Sequence, residues 1–523
     1  MKNITLIIPM SGIGKRFIDA GYNNPKPLIE VDGKPIIEHV VNLFPSINDI
    51  IFICNKTHLK KTNMRDVLLK ISPNSRILEV PDNLKKGPVY AISKIFDSID
   101  DNNEIIVSYC DYGTEWDFEK FLSEKNKYDG LIPSYIGFHP HMLGSDNYAF
   151  CRLEDGYVTQ IKEKEPFTNN KMNEYASNGT YYFKSGRILK KYFQELIDSD
   201  INLNGEFYVS LVYNLMIQDG LKVGVFEIEK MLQWGTPYDL EIYKGWSNYF
   251  NNTQIGLGEV FCPKNTTLVL PMAGKGSRFS EEGYDLPKPI LPINDNVMVV
   301  EAVNCLPNTD NKIFICLNEH INGYQIDKIL HDKFNGCKIS KIENVTEGQA
   351  ITCEIGINEH NIDLESPILI SACDNGIYYN SNKIQNLLNN EDIDIVVWSF
   401  RNNQSSRVSP NSYAWLDVDS DDNIRHVSCK RFIYEDPLKT HAIIGTMFFR
   451  KAKYFLDGLN KNKKQNIRTN NEFYVDDVLN QNIKDGLVVK VFEVDNYICW
   501  GTPNDYKTYN YWKDYFNKKL MFT

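Results

Sequence analysis

The sequence predicts an α/β protein built twice over: two tandem domains, each a mixed, mostly parallel sheet flanked by helices. Three observations predict it. At 523 residues the chain exceeds one ordinary core. Short apolar runs alternate with amphipathic helical stretches in each half, as in sheets whose strands are joined by crossover helices. The chain also repeats itself: Pro9-Met10-Ser11-Gly12-Ile13-Gly14-Lys15-Arg16-Phe17 returns as Pro271-Met272-Ala273-Gly274-Lys275-Gly276-Ser277-Arg278-Phe279. Arg278 follows Arg16 by 262 residues, as Lys288 follows Lys26, and Asp374 follows Asp111 by 263. Lys430, Glu472 and Gly501 follow Lys164, Glu206 and Gly235 by 266. A near-constant offset with a small drift means a duplicated domain with loop insertions, and the period is too long for a solenoid. The expected domains are 1–252 and 265–523, with a polar linker near 251–265.

Taken in order, residues 5–9 form a buried strand that runs into the glycine-rich turn. Ile36, Ile37, Val40, Val41 and Phe44 make a helical apolar stripe after the Asp32-Gly33 turn. Residues 49–54 and 104–109 are further strands, with an amphipathic helix near 89–99 between them. Ligands of such sheets sit beyond the carboxyl ends of the strands. Residues 148–153 and 157–162, joined by Glu154-Asp155-Gly156, read as a hairpin over that end. Each half closes on a helix, near 242–250 and around Tyr511-Trp512-Lys513.

Composition narrows the partners. A formal charge of -11 and a pI near 5.5 argue against nucleic acid or an anionic membrane. The 11 cysteines show no metal-ligand spacing and read as small hydrophobes in a reducing compartment. The opening apolar run is too short for a secretory signal, no stretch reaches transmembrane length, and no hexapeptide repeat follows the second half. A cytoplasmic protein is expected. His139-Pro140-His141 lacks a third ligand and reads as a polar loop.

The repeated motifs point to phosphate chemistry. A strand ending in G-x-G brings backbone N–H groups close to phosphate oxygens, because two positions lack a Cβ. The dinucleotide pattern needs a third glycine where Phe17 and Phe279 stand, and the G-K-[ST] of a P-loop is absent. Arg16 and Arg278 stand behind the turn instead. Lys26 and Lys288 each lie between two prolines, which stiffen the loop that presents the ammonium. Asp111 and Asp374 follow apolar strands, where a carboxylate is placed to ligate Mg²⁺ bridging phosphate oxygens.

Together the strand, G-x-G-x-R-F, P-K-P-L/I and the G-K-P-I helix start resemble the sugar nucleotidyltransferases, also called nucleoside-diphosphate-sugar pyrophosphorylases. The likeness covers each half once and is nearest to the surface-polysaccharide group. It implies a Rossmann-like sheet and one reaction: an NTP and a sugar 1-phosphate, or similar phosphomonoester, give the NDP-sugar and pyrophosphate, with Mg²⁺. By that resemblance Arg16, Lys26, Arg278 and Lys288 are catalytic. Met10, Gly12, Gly14, Gly87, Met272, Gly274, Gly276 and Gln349 contact the nucleotide. Lys164, Gly179, Glu206, Lys430, Gly445 and Glu472 contact the sugar phosphate, and Asp111 and Asp374 hold the metal.

Two departures follow. Many relatives carry a second metal aspartate in W-x-D-x-G-T-P, at the place where this chain has Gln233 and Cys499. Where the family reads the base, the second half has Gln349 and the first, Lys85-Lys86-Gly87-Pro88, has no amide, so the halves are expected to differ in substrate. Two rival readings stand beside this one. In one, a catalytic half is joined to a nucleotide-sensing half; in the other, the chain is a nucleotide-sugar-dependent glycosyltransferase, disfavoured by the missing D-x-D. The halves could pack as a pseudo-dimer, or the chain could form a homo-oligomer.

Overall fold

The computed structural model describes residues 3–82, 86–252 and 259–521. Its backbone divides into two compact units, Met1–Ser247 and Asn248–Thr523. The α/β class is as expected. The middle of the expected linker lies outside the described residues.

In the first unit, Ile4–Met10 pairs in parallel with Asp49–Asn55 on one side and Glu104–Ser108 on the other. Arg76–Val80 extends the parallel half beyond Asp49–Asn55. Leu6, Ile7, Ile8, Ile51, Phe52, Ile105 and Ile106 are fully buried, because helices cover both sheet faces. Past Glu104–Ser108 the sheet turns antiparallel through Thr180–Phe183, which pairs with Gly130–Tyr135. The hairpin Ala149–Glu154 and Tyr157–Glu163 joins by way of Tyr175–Ser177. The helix expected over 89–99 is Gly87–Ser93 followed by a 3-10 turn, Phe96–Ser98, because Ile95 N closes on Ile92 O, three residues back.

The second unit has the same plan. Thr267–Met272 lies parallel between Asn311–Leu317 and Ile368–Ile370. Beyond it come His441–Phe449 antiparallel, Ile395–Phe400 and Val489–Glu493. A single strand, His441–Phe449, runs where the first unit has two pieces, and it carries Gly445 at φ 99 as Gly179 carries φ 95.

Each unit adds a two-stranded ribbon: Tyr112–Glu115 with Lys230–Gln233, and Asn375–Tyr378 with Asn496–Cys499. The helices Pro237–Asn252 and Pro503–Met521 then start on Gly-Thr-Pro. Thr236 Oγ1 accepts from Asp239 N at 3.1 Å and donates to the Asp239 carboxylate at 2.5 Å, with proline at the first helical position. Thr502 and Asp505 repeat this cap at 3.2 and 2.6 Å. All 11 cysteines are free, seven of them buried. Among the described residues no helix is long and apolar enough to cross a membrane.

Candidate active site

Each glycine turn is built around one obligate glycine. Gly14 (φ 68) and Gly276 (φ 63) occupy the left-handed region that lets the strand break into the short helices Lys15–Asp19 and Ser277–Glu281. Gly12 and Gly274 have no such need, and a Cβ on either would meet nothing within 4 Å. The space beside them is open to a ligand. Met10 and Met272 are buried at the strand ends.

The lysines of the two Pro-Lys-Pro turns point at the strand-end aspartates. Lys26 Nζ lies 2.6 Å from Asp111 Oδ2, and Lys288 Nζ 2.7 Å from Asp374 Oδ2. Burial works against both ammonium charges, but the facing carboxylate outweighs it and holds each lysine above its usual range. Asp374 mirrors this: burial opposes its charge, yet Lys288 draws the acid below the usual carboxylate range.

The glycine two residues after each aspartate is a packing glycine inside a strand. A Cβ at Gly113 would meet Trp234 at 2.8 Å, and one at Gly376 would meet Trp500 at 3.0 Å. Trp234 N donates to Asp111 O at 3.2 Å and Trp500 N to Asp374 O at 2.8 Å. The buried indoles thereby fix the aspartate loops to the W-G-T-P turns.

In the first unit Arg16, Lys26, Asp111, Lys164 and Gly179 line one cavity of about 200 Å³, together with Tyr148, Glu163, Tyr208 and Gln233. Lys164 Nζ donates to Tyr208 Oη at 2.5 Å, and Tyr208 Oη donates to Glu206. Glu206 is exposed and reaches this site through Tyr208. In the second unit Lys430 Nζ donates to Ser412 O and lies 5.6 Å from the Tyr474 ring, whose hydroxyl bonds to Glu472. Lys164 (φ 58) and Lys430 (φ 52) both adopt the left-handed backbone that an L side chain avoids. Two lysines holding the same strained conformation at the ends of matching hairpin strands fit a positioned cation.

Gly87, expected at the nucleotide, and its counterpart Gly348 also serve packing. A Cβ on Gly87 would fall 2.7 Å from Phe207 N, and one on Gly348 would fall 2.6 Å from Phe473 N. Both glycines clasp the loop carrying Glu206 or Glu472, with Phe207 N donating to Lys86 O and Phe473 N to Glu347 O. Gln349 is half-buried at the start of helix Gln349–Glu359, and Lys85 lies outside the described residues.

Among the described residues no three His, Cys, Asp or Glu side chains converge as a metal cluster. The first unit nonetheless offers oxygen donors. A Cβ at Gly235 would lie 3.1 Å from Asp111 Oδ2 and 3.2 Å from Gln233 Oε1, so both atoms flank one point. One carboxylate and one amide oxygen suit Mg²⁺, which takes its remaining ligands from water and phosphate. In the second unit the corresponding point lies 3.2 Å from Asp374 Oδ2 and 3.4 Å from Cys499 Sγ, a donor better suited to softer ions.

Residues 6–203 match the family model described as nucleotidyl transferase. The chain is 29% identical over 216 residues to the bifunctional protein GlmU of Buchnera aphidicola, covering 40% of this chain and 42% of that protein. It is 26% identical over 235 residues to the GlmU of Methanocaldococcus jannaschii, covering 45% and 52%. The chain thus spans about half the length of the curated relatives it matches. The nucleoside-diphosphate-sugar pyrophosphorylase of Vibrio cholerae RC9 is 23% identical, with a TM-score of 0.38 over 46% of this chain and 99% of that one.

Around the cavity of the first unit stand residues that sequence reasoning missed. Glu163 is one: burial pushes its acid up to about 7, against the Ser210 hydroxyl and Lys164. Its position just before Lys164 is the only sequence signal. Asp239 is another, pushed up to about 6 by burial despite Thr236 and Arg16. His139-Pro140-His141 is no polar loop: His139 is 3% exposed, and both rings pack edge-on to Tyr135, at 4.5 and 5.2 Å. Burial keeps them neutral, with His139 lowered to about 4. Tyr148, 5.0 Å from His141, carries this cluster to the cavity wall.

Proposed function

We propose that the chain is a tandem sugar-phosphate nucleotidyltransferase: each unit moves NMP from an NTP to a sugar 1-phosphate or similar phosphomonoester and releases pyrophosphate, supplying activated sugar for polysaccharide synthesis. One observation carries the reading. Arg16, Lys26, Asp111 and Lys164, the last 148 positions from the first, line a single cavity. A phosphate oxygen of the acceptor attacks the α-phosphorus in line as pyrophosphate leaves. Such a reaction asks the protein to position two repelling anions and to neutralise growing charge. Arg16 and Arg278 would hold the triphosphate tail as it departs. Lys26 and Lys288 would meet the transferring phosphoryl group, and Lys164 and Lys430 the acceptor phosphate. Asp111 with Gln233, and Asp374, would hold Mg²⁺, which supplies charge neutralisation when bound.

The test is pyrophosphate release from each NTP against a set of sugar and polyol phosphates. Turnover is expected with at least one pair, and it is lost when Arg16→Ala and Arg278→Ala are combined. Undiminished turnover in that double variant would remove the assignment.

A second reading has the second unit bind nucleotide without turning it over. It is favoured by the family match, which ends at residue 203. Arg16→Ala and Arg278→Ala assayed singly separate the two readings: loss of all turnover in the first alone, with none in the second, supports a sensing unit.

A further inference from the structure

The two units carry a half-buried acid beside the matching lysine on different elements. In the first, Glu163 ends strand Tyr157–Glu163, lines the cavity beside Lys164, and accepts from Ser210 Oγ at 2.6 Å. In the second, the strand ends on Cys429 and the helix Val475–Lys484 supplies Asp476, with Cys429 Sγ and Asp476 Oδ2 3.8 Å apart. The same clamp fixes strand against helix in both. Asn214 Oδ1 accepts from Ile161 N and its Nδ2 donates to Ile161 O, each at 2.9 Å. Asn480 grips Val427 in the same way at 3.0 and 2.9 Å. Each clamp pairs a helix residue four beyond Ser210 or Asp476 with a strand residue two before Glu163 or Cys429. The exchange is therefore positional: acid on strand with hydroxyl on helix becomes thiol on strand with acid on helix.

A serine Oγ and an aspartate Cγ occupy the same place on the side chain. The Asp476 carboxylate thus reaches from the Ser210 position toward the space that Glu163 fills in the other unit, and Cys429, ending at Sγ, leaves room for it. The thiol is a weak donor, so the carboxylate keeps acceptor capacity for a ligand. Lys430 is near enough to act on its charge, and Asp477 is the like-charged neighbour.

We infer that Asp476 is the acid by which the second unit recognises its acceptor, taking a hydrogen bond from a hydroxyl of a phosphomonoester held on Lys430. Moving this acid from strand to helix makes the two units select different hydroxylated phosphomonoesters. The inference rests on the nucleotidyltransferase reading. Burial, which raises the Asp476 acid to about 6 against the pull of Lys430, accords with a half-dry site where such a bond discriminates strongly.

The experiment uses the full chain with Arg16→Ala, which leaves the second site to be read alone. Pyrophosphate release is measured with glucose 1-phosphate, mannose 1-phosphate, N-acetylglucosamine 1-phosphate and glycerol 3-phosphate against each NTP. Asp476→Asn is expected to lower kcat/KM on the order of 30-fold, through the acceptor KM, with the NTP KM within about twofold. The pair exchange Cys429→Glu with Asp476→Ser is expected to give the second site the acceptor order of the first, which is read from the Arg278→Ala chain. Asp476→Glu tests the same acid without rebuilding the pair, and an intermediate rise in acceptor KM is expected. An unchanged acceptor KM in Asp476→Asn, or one acceptor order shared by the Arg16→Ala and Arg278→Ala chains, overturns the inference alone. No pyrophosphate from the parent chain with any pair overturns the functional reading, and this inference with it.

Discussion

Lys26 and Lys288 sit on matching backbones, and each closes on a strand-end aspartate at nearly the same distance, 2.6 and 2.7 Å. Around that shared pair the two units part company. Gln233 stands beside Asp111 where Cys499 stands beside Asp374, and Glu163 with Ser210 corresponds to Cys429 with Asp476. Arg468 pairs with Glu347 at 2.6 Å in the second unit, and its place in the first is taken by Asn202. The pattern has a physical reason. A half-buried ammonium stripped of its carboxylate is an uncompensated charge, so neither partner can change alone. The neighbours are hydrogen-bonding groups whose exchange for one another is cheap, and these are the groups that choose a ligand.

The sharpest way to break the comparison is to remove the shared cation. Lys26→Met and Lys288→Met should each lower pyrophosphate release from its own unit on the order of 1,000-fold, as loss of a preorganised charge contact does. If both units turn over, the single variants will retain different subsets of acceptors and the double variant none. Equal loss of every acceptor in either single variant would show that one unit does all the chemistry.

Much of this was legible in the sequence, and the limits are instructive. The family resemblance grouped Lys26, Asp111 and Lys164 although they are far apart in the chain, and the offset gave each a counterpart in the second half. Prolines flanking Lys26 announced a stiff turn, and the structure makes it a 3-10 turn, Lys26–Leu28, aimed at Asp111. The parallel strands were readable because burial on both faces leaves continuous apolar runs such as Ile50–Cys54. What escaped were contacts that no local pattern encodes. Gly87 reads as a ligand-loop glycine, and no local pattern shows that its missing Cβ also makes room for Phe207, 120 residues on. The left-handed backbone of Lys164 and Lys430 leaves no trace in residue type, since lysine has no preference for it.

The clasp gives the next largest effect. Gly87→Ala and Gly348→Ala each force a Cβ against the Phe207 or Phe473 backbone and hold a left-handed φ, at 83 and 126. Each should destabilise its unit by about 2–3 kcal/mol in urea unfolding. The second unit should suffer more, because its φ lies farther from the left-handed minimum an alanine tolerates. Equal losses would mean that the contact dominates and the backbone does not.

Smaller, and opposite in sign, is the response of the strained lysines. Lys164→Gly and Lys430→Gly should be more stable than Lys164→Ala and Lys430→Ala by about 1 kcal/mol, since glycine accepts the left-handed backbone. All four should lose acceptor binding. A glycine variant no more stable than its alanine counterpart would remove the argument that these positions hold strain for function.

The smallest effect separates the units by pH. Burial raises the Glu163 acid to about 7, against the Ser210 hydroxyl and Lys164, and the Glu206 charge adds to the rise. An unfolded glutamate titrates near ~4.3. Between those values the folded chain holds the proton more tightly than the unfolded one, so the contribution of Glu163 to stability is full below ~4.3 and falls as pH rises toward 7. Glu163→Gln does not titrate, so the variant should gain on the parent in thermal midpoint between pH 5 and pH 8. Asp476, raised by burial to about 6 in the second unit, has the same sign over a lower window that opens near ~3.9. Asp476→Asn should therefore complete its gain by about pH 6.5, while Glu163→Gln is still gaining at 7. Parallel curves for the two variants would mean that the acids feel the same surroundings, and that relocating one from strand to helix changed nothing a ligand could read.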